Sequence, residues 1–125
     1  MENISIVIKI FIFISIINVW FVRFNKSTSW RGGDASDMKD EFKKYGLSET
    51  MLYIVGGLKV LSALALLISI WIPSLTVPAA SLMAILMAGA VSMHVKINDH
   101  LRSSIPAFSF LVLSIVLIAF NQGWL

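Results

Sequence analysis

Four long apolar stretches limit what this chain can fold into. They cover residues 4–24, 52–72, 77–95 and 105–124. Each has about the 20 residues that a helix needs to cross a hydrocarbon core of about 30 Å. Membrane-spanning strands would be about half as long and would alternate apolar with polar side chains, so backbone pairing in lipid favours helices. We predict an all-α membrane protein in which residues 1–125 form a single domain, a bundle of four transmembrane helices.

The composition supports a membrane location and excludes several kinds of chemistry. Hydrophobic residues make up 58% of the chain and charged residues 14%, whereas a soluble domain carries roughly a quarter charged residues. The absence of cysteine excludes disulfide exchange, iron–sulfur ligation and thiolate metal sites. No phosphate loop, dinucleotide fingerprint or zinc-protease motif is present. Whether the protein is an enzyme therefore stays open, and no catalytic residue is assigned.

The distribution of positive charge predicts the orientation of the spans. Lysine and arginine cluster in or beside the first and third connections, at Arg23, Lys26, Arg31, Lys39, Lys43, Lys44, Lys96 and Arg102. The turn at residues 73–76 and the C-terminal end carry none. The positive-inside rule then places loops 1 and 3 in the cytoplasm and both termini outside. Because the positive charges behind the net charge of +3 lie mainly in these loops, the net charge predicts no nucleic-acid partner.

Trp20 falls at the inner boundary of the first span, and Lys9 lies near enough to its outer end to snorkel to headgroups.

The first loop is long enough to hold a helix of its own, predicted at about residues 35–45. Its apolar positions recur at spacings of four and three, at Met38, Phe42 and Tyr45. Asp34 or Ser36 can cap its start, and Gly46 is placed to end it in a left-handed conformation. We expect a short amphipathic helix on the cytoplasmic face, docked on the bundle or on lipid headgroups. A solvated connector is the alternative.

Lys59 is the residue whose placement in such a bundle is most unfavourable. It lies near the centre of the second span, where a lysine costs roughly 2.5 to 3.5 kcal/mol on insertion scales. Gly56 and Ser62 share its side of the helical wheel, so the polar, small side of this span faces the bundle and Lys59 points inward. An intramembrane ionisable group is a candidate functional site.

The partner of Lys59 is left open by the sequence, because none of the four apolar stretches contains Asp or Glu. The lysine is either deprotonated and hydrogen-bonded within the bundle, or paired with a loop carboxylate that folds inward, or bound to an acidic or carbonyl-bearing ligand. Asn18 and Ser15, one turn apart on the first span, are candidate neutral partners.

His94 ends the third span at the cytoplasmic boundary. An interfacial histidine can shuttle protons, bond a quinone oxygen or ligate a metal. His100 is six residues away, which is not a same-face helical spacing, and the chain offers no cysteine. We therefore predict no metal site. A histidine that bonds a loop backbone is the structural alternative.

Each of the last three spans carries one distinctive sequence feature. A glycine closely precedes a charged residue in the second span, Gly-Ala-x-x-x-His ends the third, and a proline opens the fourth. These positions are Gly57, Lys59, Gly89, Ala90, His94 and Pro106. In this pattern the chain resembles the DoxX-like family of small bacterial four-helix membrane proteins. The first span departs from the family, since this chain has NVWFVRFNKS and a helix inserted after it.

The resemblance implies a multi-pass protein of the bacterial inner membrane, linked to quinone-dependent oxidation. Lys59, His94, Tyr45 and Glu49 would line a cavity open to the cytoplasm, and a quinone head group would accept hydrogen bonds from Lys59 and His94 there. The predicted function is a quinone- or lipid-binding subunit of a membrane oxidoreductase system. Quinone is the one candidate cofactor.

Two other functions remain open. The protein could be a non-enzymatic scaffold or assembly factor that holds a partner membrane protein, or a second copy of itself, through the loop helix and the small face of the third span. That face comprises Ala80, Ala84 and Ala88. A small transporter is the third alternative, and four spans would then need to oligomerise.

Overall fold

The computed structural model describes residues 2–22, 36–98 and 101–123, with side chains for 3–22, 36–98 and 104–123, and these ranges contain helices and no strand. In chain order the elements are α1 (Glu2–Ile17), a π-helical segment (Asn18–Val22), α2 (Met38–Lys44), α3 (Glu49–Ile68), a 3₁₀ turn (Pro73–Leu75), α4 (Thr76–Lys96) and α5 (Leu101–Asn121). Within these ranges, four helices are long and apolar enough to cross a membrane. They are α1 together with the π-helical segment, α3, α4 and α5. The predicted all-α four-helix membrane bundle is confirmed.

The observed bounds differ from the predicted ones mainly at the first loop and the fourth span. Residues 23–35 lie outside the described residues, and so do the end of the predicted first span and Asp34. The loop helix is shorter than expected, with seven residues in α2. Helix α5 begins at Leu101, so Pro106 lies inside the helix and leaves one carbonyl of the preceding turn without its helical donor.

The four spans pack in the order α1, α3, α4, α5, with the most extensive packing between α4 and α5 and a smaller contact closing the ring between α1 and α5. Large apolar side chains fill the centre, among them Ile12, Leu52, Leu66, Met83 and Leu117, each no more than 1% exposed. These side chains come from all four spans, so the core is a property of the whole bundle.

The surface of the bundle is apolar and part of its interior is polar. Val7, Ile85 and Phe108 are among many large apolar side chains that are more than half exposed. Ser62, Ser69, Thr76 and Ser114 are almost completely buried. Buried hydroxyls between spans and apolar side chains facing outward are the arrangement expected when lipid surrounds the helices.

Local hydrogen bonds define the start of α2. Asp37 is the N-cap, and its Oδ1 accepts from the backbone N–H of Asp40 at 2.8 Å. In return, the backbone N–H of Ser36 donates to Asp40 Oδ2 at 2.9 Å. The predicted cap at Ser36 was therefore wrong by one residue: Asp37 is the N-cap, and Ser36 instead donates its backbone N–H to the Asp40 carboxylate.

A Schellman motif ends α2 and turns the chain into α3. Gly46 has a φ of +78° and its N–H donates to the carbonyl of Lys43 at 3.0 Å. The next N–H, that of Leu47, donates to the carbonyl of Phe42 at 3.0 Å. The predicted role of Gly46 is confirmed. Ser48 then caps α3 by accepting from the N–H of Met51 at 3.1 Å.

The bundle has two chemically different ends. We call the end that carries α2 and the α4–α5 connection the loop end. The end that carries the start of α1, the Pro73–Leu75 turn and the end of α5 is the terminal end. Each end contains a pocket with a lysine in its wall, Lys59 at the loop end and Lys9 at the terminal end.

Candidate functional site

A cavity of about 730 Å³ lies between the spans at the loop end. All four spans and α2 contribute to its wall, which is mostly apolar. The polar groups in the wall are Ser15, Asn18, Glu41, Tyr45, Lys59 and His94. An apolar cavity of roughly 300 to 1,000 Å³ with a few convergent polar groups is typical of a small-molecule site.

Helix α2 covers this cavity from the loop side. Its apolar stripe turns toward the bundle, with Met38 5% and Phe42 6% exposed. The Phe42 ring meets the indole of Trp20 edge to face, with ring centroids 6.2 Å apart. Of the arrangements that the sequence left open, docking on the bundle is the one observed. Met38 and Phe42 therefore pack against the bundle of their own chain and are not exposed to lipid headgroups or to a partner protein.

The π-helical segment Asn18–Val22 brings a tryptophan into the bundle. Trp20 is only 9% exposed, and its indole lies against the backbone of Gly56, where an added Cβ would overlap the ring. Trp20, which the sequence places at the inner boundary, thus packs inside the bundle. The missing side chain at Gly56 is the sequence feature that makes room for it. Such π-helical turns are frequent at functional sites.

Lys59 points into the cavity, as its helical face predicted. Its Nζ lies 5.7 Å from the centroid of the Trp20 ring, within the range of a cation–π interaction. Glu41 of α2 lies in the wall of the same cavity. Asn18 and Ser15 also line the cavity. Among the predicted partners, the structure thus places both the neutral groups and a loop carboxylate around Lys59.

Glu41, Tyr45 and His94 form a hydrogen-bonded chain beside the cavity. The Tyr45 hydroxyl donates to Glu41 Oε1 at 2.7 Å and lies 3.4 Å from His94 Nε2. All three side chains are buried. A phenol has one proton, so while it is donated to Glu41, the contact with His94 is a hydrogen bond only if Nε2 carries the donor proton. The chain links a carboxylate to an imidazole through a phenol, an arrangement that can pass a proton.

The segment after α2 is also tied to α4. Lys96 Nζ donates to the backbone carbonyl of Tyr45 at 3.2 Å, and the Tyr45 and His94 rings meet edge to face at 5.7 Å. These contacts fix the Tyr45 hydroxyl relative to the cavity. Helix α2 is therefore held at its C-terminal end by α4 and at its centre by Trp20.

Three predicted site residues do not line the cavity. Glu49 is exposed and pairs with Lys39 at 3.5 Å. Ser62 is 1% exposed; its hydroxyl donates to the carbonyl of Lys59 in its own helix at 3.3 Å and lies 3.8 Å from Met83 Sδ of α4, so it packs inside the bundle. Gly56 lies behind Trp20. The structure brings together Lys59, His94, Asn18 and Tyr45, and it adds Glu41 and Trp20, which the sequence analysis did not assign to the site. Their roles toward a ligand remain predictions.

The pKa values of two charged groups near the covering helix are shifted. The backbone N–H of Ser36 holds the pKa of the Asp40 carboxyl below its usual value. The neighbouring Tyr53 and Glu49 raise the pKa of Lys39. Both groups lie in α2, outside the spans. Within the described residues, no three His, Asp or Glu side chains are placed to hold a metal ion.

Four apolar spans around a lysine-bearing cavity define a multi-pass integral membrane protein with an internal polar site. The model of the DoxX-like family matches residues 17–118 of the chain. The match covers most of the sequence, so the protein belongs to the DoxX-like family, and the resemblance noted in its last three spans is confirmed. Comparison with curated proteins gives no match, and neither does comparison with solved structures.

Proposed function

We propose that this DoxX-like membrane protein binds the head group of a quinone, or of a lipid with similar carbonyl oxygens, in the loop-end cavity. In this proposal it serves as a subunit of an oxidoreductase system of the bacterial inner membrane. The observation that carries the proposal is Lys59 in an apolar cavity, beside the hydrogen-bonded chain of Glu41, Tyr45 and His94.

The donors in the cavity suit a ligand that accepts hydrogen bonds. Lys59 and Asn18 carry N–H groups in the wall of the cavity, and His94 lies in the same wall. A quinone presents two carbonyl oxygens on opposite edges of a flat ring, and each needs a donor in an apolar site. Ile85, Met87 and Phe110 contribute apolar wall on which a ring or an isoprenoid chain can pack.

The hydrogen-bonded chain suits the chemistry of quinone reduction. Conversion of a quinone to a quinol takes up two electrons and two protons. The electrons would come from a partner oxidoreductase. Protons would reach the ligand through Glu41, Tyr45 and His94, which connect the covering helix to the cavity wall. The charge distribution of the loops supports a cytoplasmic position for this end of the bundle.

Mass spectrometry of small molecules extracted from gently purified protein tests the proposal. We expect quinone, or a lipid, to be retained by the wild type and depleted about tenfold or more in Lys59→Met, because a charge-assisted hydrogen bond contributes about 1.5 to 3 kcal/mol. Lys39→Met is the control, since it removes a lysine that does not line this cavity. An unchanged ligand content in Lys59→Met, or no retained ligand in the wild type, would contradict the proposal.

The second candidate function is a non-enzymatic scaffold or assembly factor. The observation that favours it is the outer face of α4, where Ala88 is exposed and does not line the loop-end cavity. A partner helix, or a second copy of the chain, could approach closely there. If Ala88→Leu abolishes co-purification of a partner while ligand retention is unchanged, the scaffold is favoured over the ligand-binding subunit.

A further inference from the structure

Part of the wall of the loop-end cavity faces the outside of the bundle. Met51 of α3 and Ile85 and Gly89 of α4 line the cavity and are nevertheless exposed, Met51 by 40% and Ile85 by 69%. Every other described residue of the wall is half-buried or buried, including all those from α1, α2 and α5. The cavity therefore opens where α3 and α4 form the surface of the bundle.

The helical face of the α3 residues places this opening beside α4. Ser62 marks the side of α3 that meets α4, because its hydroxyl lies 3.8 Å from Met83 Sδ. Val55 and Met51 precede Ser62 by seven and eleven residues, or about two and three turns of helix, so they lie on that same side. The opposite edge of the buried face of α3 is occupied by Gly56, which packs on Trp20 of the first span.

The two helices leave a cleft at this point. Val55 is six residues from the start of α3 and Gly89 is seven residues from the end of α4, so both lie about 9 to 11 Å from the loop end. Ile85 is one turn deeper than Gly89, level with Lys59. Within the described part of the chain, no side chain lies within 4 Å of a Cβ built at Gly89. We call this gap, bordered by Met51, Val55, Ile85 and Gly89, the α3–α4 cleft.

Other sides of the cavity are closed at the same depth. Between α1 and α5, the rings of Phe11 and Phe110 meet with their centroids 5.9 Å apart, and Phe110 is itself part of the cavity wall. On the loop side, Met38 and Phe42 of α2 are buried against the bundle. The α3–α4 cleft thus connects the surroundings of Lys59 with the lipid-facing surface.

We propose that the α3–α4 cleft is the passage for an apolar tail, so that the ligand of the loop-end cavity is a tailed amphiphile that enters from the lipid. This inference rests on the proposed function, because it takes a carbonyl-bearing head group beside Lys59 as given. A long tail attached to such a head group does not fit in the cavity and needs a way out through the wall. The side chains that border the cleft carry no polar group, which suits an isoprenoid or acyl chain. Gly89 is the residue that keeps the passage open.

Binding of two quinones to the purified full chain in detergent tests this inference. One probe is a dimethoxybenzoquinone with a decyl tail, and the other is the same head group without the tail. Gly89→Leu fills the cleft, and the fold should be retained because leucine is a better helix former than glycine. We expect Gly89→Leu to weaken binding of the tailed quinone about tenfold more than binding of the tail-free quinone. Ala88→Leu is the matched control and should weaken neither, since Ala88 is exposed and does not line the cavity.

The location of the bound tail in the wild type is a second measurement, and it decides the question even if Gly89→Leu does not fold. A tailed quinone with a diazirine on its tail should cross-link to α3 and α4 near Val55 and Ile85. Cross-links to α1 or α5 instead would overturn the inference, and so would equal weakening of both quinones by Gly89→Leu. A dimer of the chain that dissociates in Gly89→Leu would assign the cleft to a second copy and would also overturn it.

The tail-free quinone separates failure of this inference from failure of the proposed function. We expect it to bind the wild type and to bind Lys59→Met about tenfold more weakly, because the variant removes a donor from the head-group site. If that result is obtained while Gly89→Leu does not distinguish the two quinones, the passage alone is overturned. If neither quinone binds the wild type, the proposed function and the passage both fail.

Discussion

The Tyr45 hydroxyl lies 3.4 Å from His94 Nε2, across 49 residues of sequence. This contact joins the segment that follows the covering helix to the loop end of α4. The same hydroxyl donates to Glu41, so one phenol orients both an acid and an imidazole beside the cavity. The cavity and its cover are therefore mechanically linked, and a change at Tyr45 should affect both.

The first prediction concerns that hydroxyl. Tyr45→Phe removes the hydrogen bond from the Tyr45 hydroxyl to Glu41, and one such bond contributes about 0.5 to 1.5 kcal/mol. We expect a lower melting temperature and faster hydrogen exchange of the backbone amides in α2. Tyr53→Phe is the matched control, because the Tyr53 hydroxyl bonds Glu49 on the exposed side of α3. Equal effects of the two substitutions would show that the Tyr45 hydroxyl does not hold α2.

The second prediction concerns the charge of Glu41 near Lys59. We expect the single variants Glu41→Gln and Lys59→Met and the double variant to be non-additive, with a coupling free energy of roughly 0.5 to 3 kcal/mol. The free energies of unfolding would be measured in lipid bicelles. Glu49→Gln with Lys59→Met serves as the control pair, because Glu49 does not line the cavity. Additivity of the Glu41 pair within about 0.5 kcal/mol would mean that the two charges do not interact.

Hydrophobic periodicity and helix chemistry account for most of what the sequence predicted correctly. The length of the apolar stretches predicts the four spans. The positions of Gly56 and Ser62 on the helical wheel predict that Lys59 points into the bundle, and Gly46 predicts where α2 ends. Each of these predictions uses only the sequence of a single helix.

The placements of Glu41, Trp20 and Lys9 were not predicted, because they depend on packing between helices. Glu41 lies on the same side of α2 as Met38 and Tyr45, three and four residues away, but which side of a seven-residue helix faces the bundle is decided by tertiary packing. Trp20 and Lys9 were assigned by their depth in the membrane, although each lies on the buried face of the first span. The π-helical segment before the loop also changes the direction in which Trp20 points, and apolar periodicity carries no signal for it.

The third prediction follows from the contact between Trp20 and Gly56. Gly56→Ala places a methyl group inside the indole ring, so the ring must move or the helices must separate. We expect a loss of stability of about 1 to 3 kcal/mol from overpacking. In a variant in which Trp20 is the sole tryptophan, we also expect a red-shifted fluorescence maximum. Gly57→Ala, next in the chain, meets open space and should be neutral or slightly stabilising. A neutral Gly56→Ala would contradict the observed packing.

The fourth prediction concerns pH and the start of α2. The Ser36 N–H lowers the pKa of Asp40 from its ordinary value of 3.8. A carboxyl whose pKa is lower in the folded state stabilises that state above its unfolded pKa, and the contribution is lost as pH falls through the folded pKa. We therefore expect the first turn of α2 to lose amide protection below about pH 4, with little change from there to neutral pH. Asp40→Asn should remove this pH dependence, and its persistence in that variant would assign it to another group.

The fifth prediction concerns orientation in the membrane. The chain has no cysteine, so the labelling of a single introduced cysteine shows on which side of the membrane that residue lies, with no signal from other thiols of the protein. Ser36 at the loop end and Ser74 in the turn at the terminal end are both exposed. If the loop charges orient the protein, a membrane-impermeant maleimide should label Ser74→Cys in intact spheroplasts and Ser36→Cys only after permeabilisation. The reverse pattern would place the loop-end cavity on the outer side, and protons for a bound quinone would then come from outside the cell.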